Sequence, residues 1–134
     1  MHSFTLKSSA REEIIEITSQ VNDIVRRSTV TEGICFVYAP HTTAAVTINE
    51  NADPTVVKDI IKGLSNFKLE KINFSHMEGN SPAHIKSTII GCSTFIIIDN
   101  GALQLGTWQG IFFCEFDGPR SRKVQLKIIG QKNN

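Results

Sequence analysis

The sequence lacks the features that point to a membrane, to secretion or to a partner bound by bulk charge. No apolar run in its 134 residues approaches the roughly 20 residues that span a bilayer. The first residues carry neither the basic segment nor the apolar segment of a secretion signal. Lys plus Arg number 14 and Asp plus Glu number 13, which leaves a net charge of +1, whereas proteins that bind nucleic acid mainly by charge are more basic. We therefore expect neither a nucleic acid nor a membrane as a partner.

Cysteine is also scarce. The three residues Cys35, Cys92 and Cys114 share no short spacing, which argues against a disulfide framework and a Cys-rich zinc site. Unpaired thiols are typical of a reducing compartment, so the sequence predicts a cytoplasmic protein. Cys114 lies among phenylalanines, and we expect it to be a buried, inert thiol.

What the sequence does contain is enough apolar material for a core. Hydrophobic residues make up 40% of the chain and charged residues 20%. A chain of this length buries about two thirds of its unfolded surface, so it needs no metal or disulfide to fold. The length predicts a single domain over residues 1–134.

Hydrophobic periodicity predicts an α+β fold. Alternation predicts strands at His2–Ser8, Gly33–Ala39, Thr43–Asn49, Thr94–Ile98, Trp108–Phe116 and Lys123–Ile129. Helical spacing predicts one helix from a Ser9–Glu12 capping box to Ser28, a second starting at Asp53-Pro54, and a short third from Ser81-Pro82 to Gly91. Asp99-Asn100-Gly101 predicts a turn, and Gln131–Asn134 a frayed tail. This order favours a mainly antiparallel sheet with two longer helices and one short helix.

Two polar segments flank the strand predicted at Thr43–Asn49. His41, Thr42 and Thr43 occupy a turn, where the imidazole could ligate a metal or, with the hydroxyls, donate to a phosphate. The alternative is a turn whose hydroxyls bond their own backbone. Oxygen-bearing residues at 49–53 could hold Mg²⁺, although a helix N-cap accounts fully for Asp53.

A third segment, His76–His84, combines a metal ligand with an anion site. The dipole of the predicted third helix opposes protonation of His84, and neutral imidazole is the form that binds metals. Free N–H groups at Asn80 and Ser81 would suit a phosphate. The alternative is a capped helix with a surface histidine. We expect His41, His76 and His84 to converge on a metal or an anion, with Glu78 or Glu115 nearby, since three histidines and a water form a known zinc arrangement.

The closing segment places a carboxylate on an apolar strand. Glu115 shares a face with Ile111 and Phe113, so it is either part of an ion pair or a site residue. Arg120 and Arg122 in the next turn could bind phosphate in a bidentate manner. The alternative is that Arg120 pairs with Asp117 or Glu115.

Three stretches of the sequence resemble the YjbQ-like proteins, described as secondary thiamine-phosphate synthases. They are HTTAAVTINENADP from His41, HMEGNSPAHIKSTIIG from His76, and LGTWQGIFFCEFDGPRSRKV from Leu105. The resemblance implies a compact α+β domain around a β-sandwich-like sheet, a homotrimer with sites near subunit contacts, and a metal bound by His. It also implies an activity that joins a thiazole phosphate to a pyrimidine diphosphate, giving thiamine phosphate and pyrophosphate.

These considerations together give the candidate site. The proposed catalytic residues are His41, His84 and Glu115. Substrate phosphates would be bound by Thr42, Thr43, Asn80, Ser81, Lys86, Arg120 and Arg122. A divalent metal, zinc or magnesium, would be held by His41, His76 and His84. The alternative is a non-catalytic or regulatory protein that binds a metal or a phosphorylated small molecule at the same place.

Overall fold

A computed structural model, which describes residues 1–132, contains eight strands and three α-helices. In chain order the elements are β1 His2–Lys7, β2 Glu13–Glu16, α1 Thr18–Ser28, β3 Val30–Tyr38, β4 Ala44–Glu50, α2 Pro54–Ser65, a 3-10 turn Leu69–Lys71, α3 Ser81–Ile90, β5 Ser93–Asp99, β6 Ala102–Leu103, β7 Gln109–Glu115 and β8 Ser121–Lys132. The predicted α+β class is confirmed. Among the described helices, none has the length and apolar character needed to cross a membrane.

The strands form two sheets in which every pairing is antiparallel. The five-stranded sheet has the order β1-β8-β3-β5-β6, and the three-stranded sheet has the order β2-β7-β4. The first and last strands are neighbours, with His2 opposite Leu126. The main core lies between α1 and the inner faces of both sheets, where Val21, Val37, Val46 and Phe113 are at most 1% exposed. Burial of each such side chain contributes about 1.5–3 kcal/mol, so this core holds the two sheets together.

The first predicted helix begins too early and is corrected by the structure. Residues Glu13–Glu16 form a strand that pairs with β7, and α1 begins only at Thr18. The Ser9 hydroxyl and backbone N–H do donate to an acidic side chain, but the acceptor is Glu13, at 3.0 and 2.8 Å. Pairing with the edge of β7 satisfies the backbone of this segment and overrides its helical spacing.

The two later helix starts follow the sequence closely. The Asp53 carboxylate accepts a hydrogen bond from the Thr55 N–H at 2.9 Å, which confirms the predicted cap of α2. Helix α3 begins at Ser81 with Asn80 as its cap residue, one position earlier than predicted, so His84 is its fourth residue. The Asn80 side chain makes no cap hydrogen bond, since Pro82 has no N–H that its amide oxygen could accept, and its amide nitrogen donates to Asp117 at 2.9 Å.

Two short features complete the comparison. The predicted turn at Asp99-Asn100-Gly101 is confirmed: Asn100 and Gly101 have φ of 52° and 76°, as a two-residue hairpin loop requires. It leads into β6, a two-residue strand too short to show a period. Gln131 and Lys132 belong to β8 rather than to a frayed tail, and Asn133 and Asn134 lie outside the described residues.

Candidate functional site

His84 lies between two neighbouring cavities, each of about 380 Å³. The first, the His76 cavity, is lined by Phe74, His76, Ser81, His84 and Ile85. The second, the His41 cavity, is lined by His41, Thr42, His84, Ser87, Thr88, Gly91 and Cys92. The rings of His76 and His84 meet edge to face with centroids 5.3 Å apart. The structure therefore brings His84 into contact with His76 in one cavity and places it on the wall of the other cavity with His41.

Helix α3 is held against β4, and this contact fixes His84. The Ser87 hydroxyl donates to the Ala44 carbonyl at 2.6 Å, and the Val46 N–H donates to the Gly91 carbonyl at 3.1 Å. His84 precedes Ser87 by three residues, so both lie on the same side of the helix. Helix α3 therefore separates the two cavities and presents the imidazole of His84 to both.

His41 is anchored through one ring nitrogen. Its Nε2 lies 2.9 Å from the Lys123 N and 3.1 Å from the Lys123 carbonyl oxygen, so it can accept from one or donate to the other. The ring packs edge to face on Phe113, with centroids 6.4 Å apart. Because Nε2 keeps a backbone partner in either protonation state, Nδ1 is the nitrogen that can gain or lose a proton without the ring moving.

Burial lowers the pKa of His41 from its ordinary value of 6.5, and the nearby charge of Arg122 lowers it further. The Lys123 backbone and Glu115 act in the opposite direction, and Arg120 adds to the lowering. We expect nitrogen NMR to find this imidazole neutral at pH 7. The unfolded chain binds the proton more readily, so the free energy of unfolding should rise with pH up to about 6.5 and then level off.

The variant His41→Gln provides the control for this pH dependence. Its free energy of unfolding, measured in urea at closely spaced pH values, should lose the part of the pH dependence that His41 contributes below its ordinary pKa of 6.5. An unchanged slope in His41→Gln, or a His41 that titrates above its ordinary value, would contradict the expected shift.

The residues of one chain do not fit the predicted metal. Within residues 1–132, no three His, Cys, Asp or Glu side chains are close enough to share an ion. The oxygen-rich segment after β4 is occupied locally: the Asn49 side chain accepts from the Glu50 N–H at 2.7 Å, and the Asn51 amide donates to Glu16 at 2.9 Å. A three-histidine zinc site is therefore not formed within residues 1–132 of a single copy, and at residues 49–53 the side chains of Asn49 and Asn51 already make local hydrogen bonds.

Glu115 and Arg122 form a buried ion pair that joins the two sheets. Their exposed fractions are 0% and 4%. Arg122 donates to both oxygens of Glu115 and, through Nη2, to the Thr43 hydroxyl at 2.9 Å. Glu115 also accepts from the Ser8 hydroxyl at 2.6 Å and the Asp117 N–H at 3.0 Å. These contacts occupy both oxygens of Glu115 and the Nε and Nη2 of Arg122, so the pair is part of the packed interior between the two sheets.

Two opposing influences set the pKa of Glu115. Burial raises it, but the hydrogen bonds from Arg122 and Ser8 outweigh burial and hold the pKa below the ordinary value of 4.5. The group is therefore a carboxylate near neutral pH, not a proton donor. Its effect on the site is indirect, because Arg122 precedes Lys123, whose backbone anchors His41.

The other two cations predicted to bind phosphate, Lys86 and Arg120, differ in their exposure to solvent. Lys86 is 2% exposed, and its ammonium lies 3.2 Å from both Glu12 oxygens and 3.5 Å from Glu70. That placement argues against a phosphate contact. Arg120 is half exposed and pairs with Asp117 at 3.2 Å, one of the alternatives left open by the sequence. Such a pair is weak, so Arg120 can turn to an anion at little cost.

Several lining residues were missed by the sequence analysis. A third cavity of about 360 Å³ adjoins His76 and Ser81, and its wall includes Arg11, Leu69 and Phe74. Phe74 lines the His76 cavity as well. Residues 65–78 show no clear hydrophobic periodicity, and Arg11 lies in the stretch that was wrongly predicted to be helical. Neither segment therefore contained a sequence pattern that pointed to a cavity wall. Cys92 was read only as a reduced thiol, yet it is exposed and lines the His41 cavity.

Comparison with known proteins identifies relatives over the whole chain. A family model described as UPF0047 protein YjbQ-like matches residues 2–131. UPF0047 protein MJ1081 of Methanocaldococcus jannaschii is 53% identical, over 98% of this chain and 96% of its own. UPF0047 protein YugU of Bacillus subtilis is 46% identical, over 97% and 99%.

Solved structures agree with this match. An uncharacterised conserved protein of the YjbQ/UPF0047 family from Clostridium acetobutylicum has a TM-score of 0.94 and 51% identity, covering 96% of this chain and all of that one. A YbjQ-like protein of unknown function from Sulfolobus solfataricus has a TM-score of 0.93 and 32% identity, covering 97% and 96%. The relatives share the fold, and none of these descriptions names a reaction.

Proposed function

The chain belongs to the UPF0047 YjbQ-like family, and on that premise we propose that it condenses two phosphorylated small molecules at His84. The specific reaction is the synthesis of thiamine phosphate from a thiazole phosphate and a pyrimidine diphosphate. The thiazole ring nitrogen forms a bond to the methylene carbon that joins the pyrimidine to its diphosphate, the carbon–oxygen bond at that carbon breaks, and its electron pair leaves on pyrophosphate.

One observation carries this proposal: His84 lines two adjacent cavities. A condensation needs two ligands held side by side with their reacting atoms in contact. The His76 cavity has apolar walls at Phe74 and Ile85, which suit a heteroaromatic ring. The His41 cavity adds polar groups that suit a phosphate, the imidazoles of His41 and His84 and the hydroxyl of Thr42.

The departing pyrophosphate needs charge neutralisation and hydrogen-bond donors. His84 can donate from its ring, Thr42 from its hydroxyl, and His41 from Nδ1 when Nε2 accepts from the Lys123 N–H. Arg120 is the accessible cation among those singled out in the sequence. None of these groups needs a metal in order to act.

We expect His84→Ala to reduce the rate of thiamine phosphate formation at least about a hundredfold, the usual effect of losing a proton-transferring or leaving-group-stabilising side chain. Untagged protein from a host lacking its own synthase would be assayed with both substrates, and pyrophosphate and thiamine phosphate measured together. The matched control is His2→Ala, which removes a histidine on β1 that lines neither cavity.

Circular dichroism of both variants separates loss of chemistry from loss of fold. Turnover that persists in His84→Ala, or that never exceeds the host background, would overturn the synthase. Binding of either substrate without product, lost in His84→Ala, would favour the alternative of a non-catalytic protein that binds a phosphorylated ligand.

We also propose that this single domain of residues 1–134 acts in the cytoplasm as a homotrimer. The support for assembly is the outer face of the five-stranded sheet, whose apolar residues are 37–58% exposed: Ile34, Phe36, Tyr38, Phe95, Ile97 and Ile129. They lie side by side across β8, β3 and β5, with Ile34 opposite both Ile97 and Ile129. A contiguous apolar patch of this kind marks a contact surface. Sedimentation at micromolar concentration should find three copies.

A further inference from the structure

The third cavity, the Arg11 cavity, adjoins the His76 cavity. Its volume is about 360 Å³, and its wall includes Arg11, Glu70, Phe74, His76 and Ser81. The last three residues line the His76 cavity too, whereas none of the described residues lines both the Arg11 cavity and the His41 cavity. Cavities of about 300–1,000 Å³ that combine apolar walls with a few polar groups are typical small-molecule sites. The His76 cavity therefore connects the other two.

The guanidinium of Arg11 is a cation without a partner in residues 1–132. Its backbone is fixed, because the Gly118 N–H donates to the Arg11 carbonyl at 3.0 Å. Its side chain is exposed and makes neither an ion pair nor a hydrogen bond within those residues. Lys86 and Arg122, in contrast, are buried and paired with carboxylates. A planar guanidinium with free N–H groups can bind phosphate in a bidentate manner.

Other hydrogen-bond donors line the same cavity. Ser81 offers its hydroxyl and its backbone N–H, and neither has a partner in the described part of the chain. The Asn73 amide and the His76 imidazole also lie on the wall. The carboxylate on this wall, Glu70, lies 3.5 Å from the Lys86 ammonium, which offsets part of its charge. An unpaired cation with several donors beside it favours an anion.

We propose that the Arg11 cavity binds the phosphate of the thiazole phosphate, and that Arg11 selects the phosphorylated thiazole over the unphosphorylated one. This inference rests on the proposed function and assigns each substrate its place. The phosphate of that substrate is joined to the ring by a short carbon chain. A ring on the apolar wall of the His76 cavity therefore places the phosphate within reach of the adjoining Arg11 cavity. The ring nitrogen then meets the second substrate near His84, and pyrophosphate leaves in the His41 cavity.

Binding of the thiazole with and without its phosphate tests this assignment without any turnover. Calorimetry should find that the unaltered protein binds thiazole phosphate at least about tenfold more tightly than the thiazole alcohol, the usual effect of charge-assisted hydrogen bonds. The difference should disappear in Arg11→Ala and be reduced in Arg11→Lys, which keeps the charge but not the planar fork of donors. The matched control is Arg27→Ala, which removes an exposed arginine of α1 that lines none of these three cavities. It should bind both compounds as the unaltered protein does.

The variant Glu70→Gln should act in the opposite direction to Arg11→Ala. It removes a negative charge from the wall of the Arg11 cavity, so it should tighten the binding of thiazole phosphate and leave that of the alcohol unchanged. A merely structural role for these two residues would not give effects of opposite sign. Circular dichroism of each variant checks that the fold is intact.

Steady-state kinetics separate this phosphate site from the synthase itself. In Arg11→Ala the KM for thiazole phosphate should rise at least about tenfold, while the KM for the pyrimidine diphosphate stays unchanged. Unchanged binding of thiazole phosphate in Arg11→Ala, or an equal rise in both KM values, would overturn the role of Arg11 and leave the synthase standing. Binding that depends on Arg11 without turnover would support the phosphate site and count only against the synthase. No binding of thiazole phosphate to the unaltered protein would overturn both.

Discussion

Glu115→Gln should lower the free energy of unfolding by about 3–5 kcal/mol, because it leaves the guanidinium of Arg122 buried and without its counter-charge. Arg122 is 4% exposed, and its remaining acceptors are the hydroxyl and carbonyl of Thr43. A domain of this size is stable by only about 5–15 kcal/mol, so much of its margin would be lost. Urea unfolding at pH 7 measures the change directly.

The control for the Glu115→Gln variant is the more exposed ion pair between Asp117 and Arg120. Arg120→Ala breaks the contact with Asp117 and should cost no more than about 1 kcal/mol, because water replaces the lost partner. The pH dependence gives a second check. The lowered pKa of Glu115 stabilises the fold above the ordinary value of 4.5, and that stabilisation is lost as pH falls through the folded pKa. In Glu115→Gln the free energy of unfolding should therefore depend less on pH in the acid range. If Glu115→Gln and Arg120→Ala lowered the free energy of unfolding equally, burial of the Glu115–Arg122 pair could not be the reason for the loss.

Gly33→Ala should be at least as damaging, at about 4 kcal/mol or more, because backbone fills the space that a methyl group needs. Gly33 on β3 lies opposite Gly130 on β8, near an irregularity in the pairing between Val30 and Glu32. A Cβ at Gly33 would lie 2.1 Å from the Ile129 carbonyl oxygen and 2.7 Å from the Gly130 Cα. The two central strands of the five-stranded sheet would have to separate, and thermal unfolding should show it.

Gly63→Ala is the matched control, since it makes the same chemical change where space is open. Gly63 lies within α2, and nothing approaches its Cβ position within 4 Å. Alanine favours the helix over glycine, so this variant should gain about 0.5–1 kcal/mol. If both glycine variants changed stability in the same direction, close approach of the β3 and β8 backbones could not be the reason.

The sequence predicted the structure well where a few neighbouring residues determine the backbone conformation. Asp53 before Pro54, and Asn100 before Gly101, each define their structure within a few residues, and both predictions were confirmed. The segment at Glu13–Glu16 failed for the opposite reason: its capping pattern suits a helix, but its partner is β7, about a hundred residues later. Register with a distant strand leaves no local trace.

The candidate site shows the same division. The sequence places His41 in a turn and His84 at a helix start, positions that project side chains outward, and the structure puts both on the wall of one cavity. The burial of a cation and its pairing with a carboxylate could not be predicted from local sequence in this way. Lys86 looks like any surface lysine in the sequence, and only the fold reveals Glu12 and Glu70 beside it. Whether a charge meets a ligand or an internal partner depends on contacts distant in the chain.

The pairing of β1 with β8 has a consequence for how the protein is made. On the ribosome, residues 2–7 emerge more than a hundred residues before residues 121–126, the segment of β8 that pairs with them. Strand β8 also lies between β1 and β3, so the five-stranded sheet cannot join β1 to β3 until β8 has been synthesised. Folding dominated by such distant contacts is slow. Nascent chains stalled before β8 should therefore expose the unpaired edge of β3 and depend on chaperones for solubility.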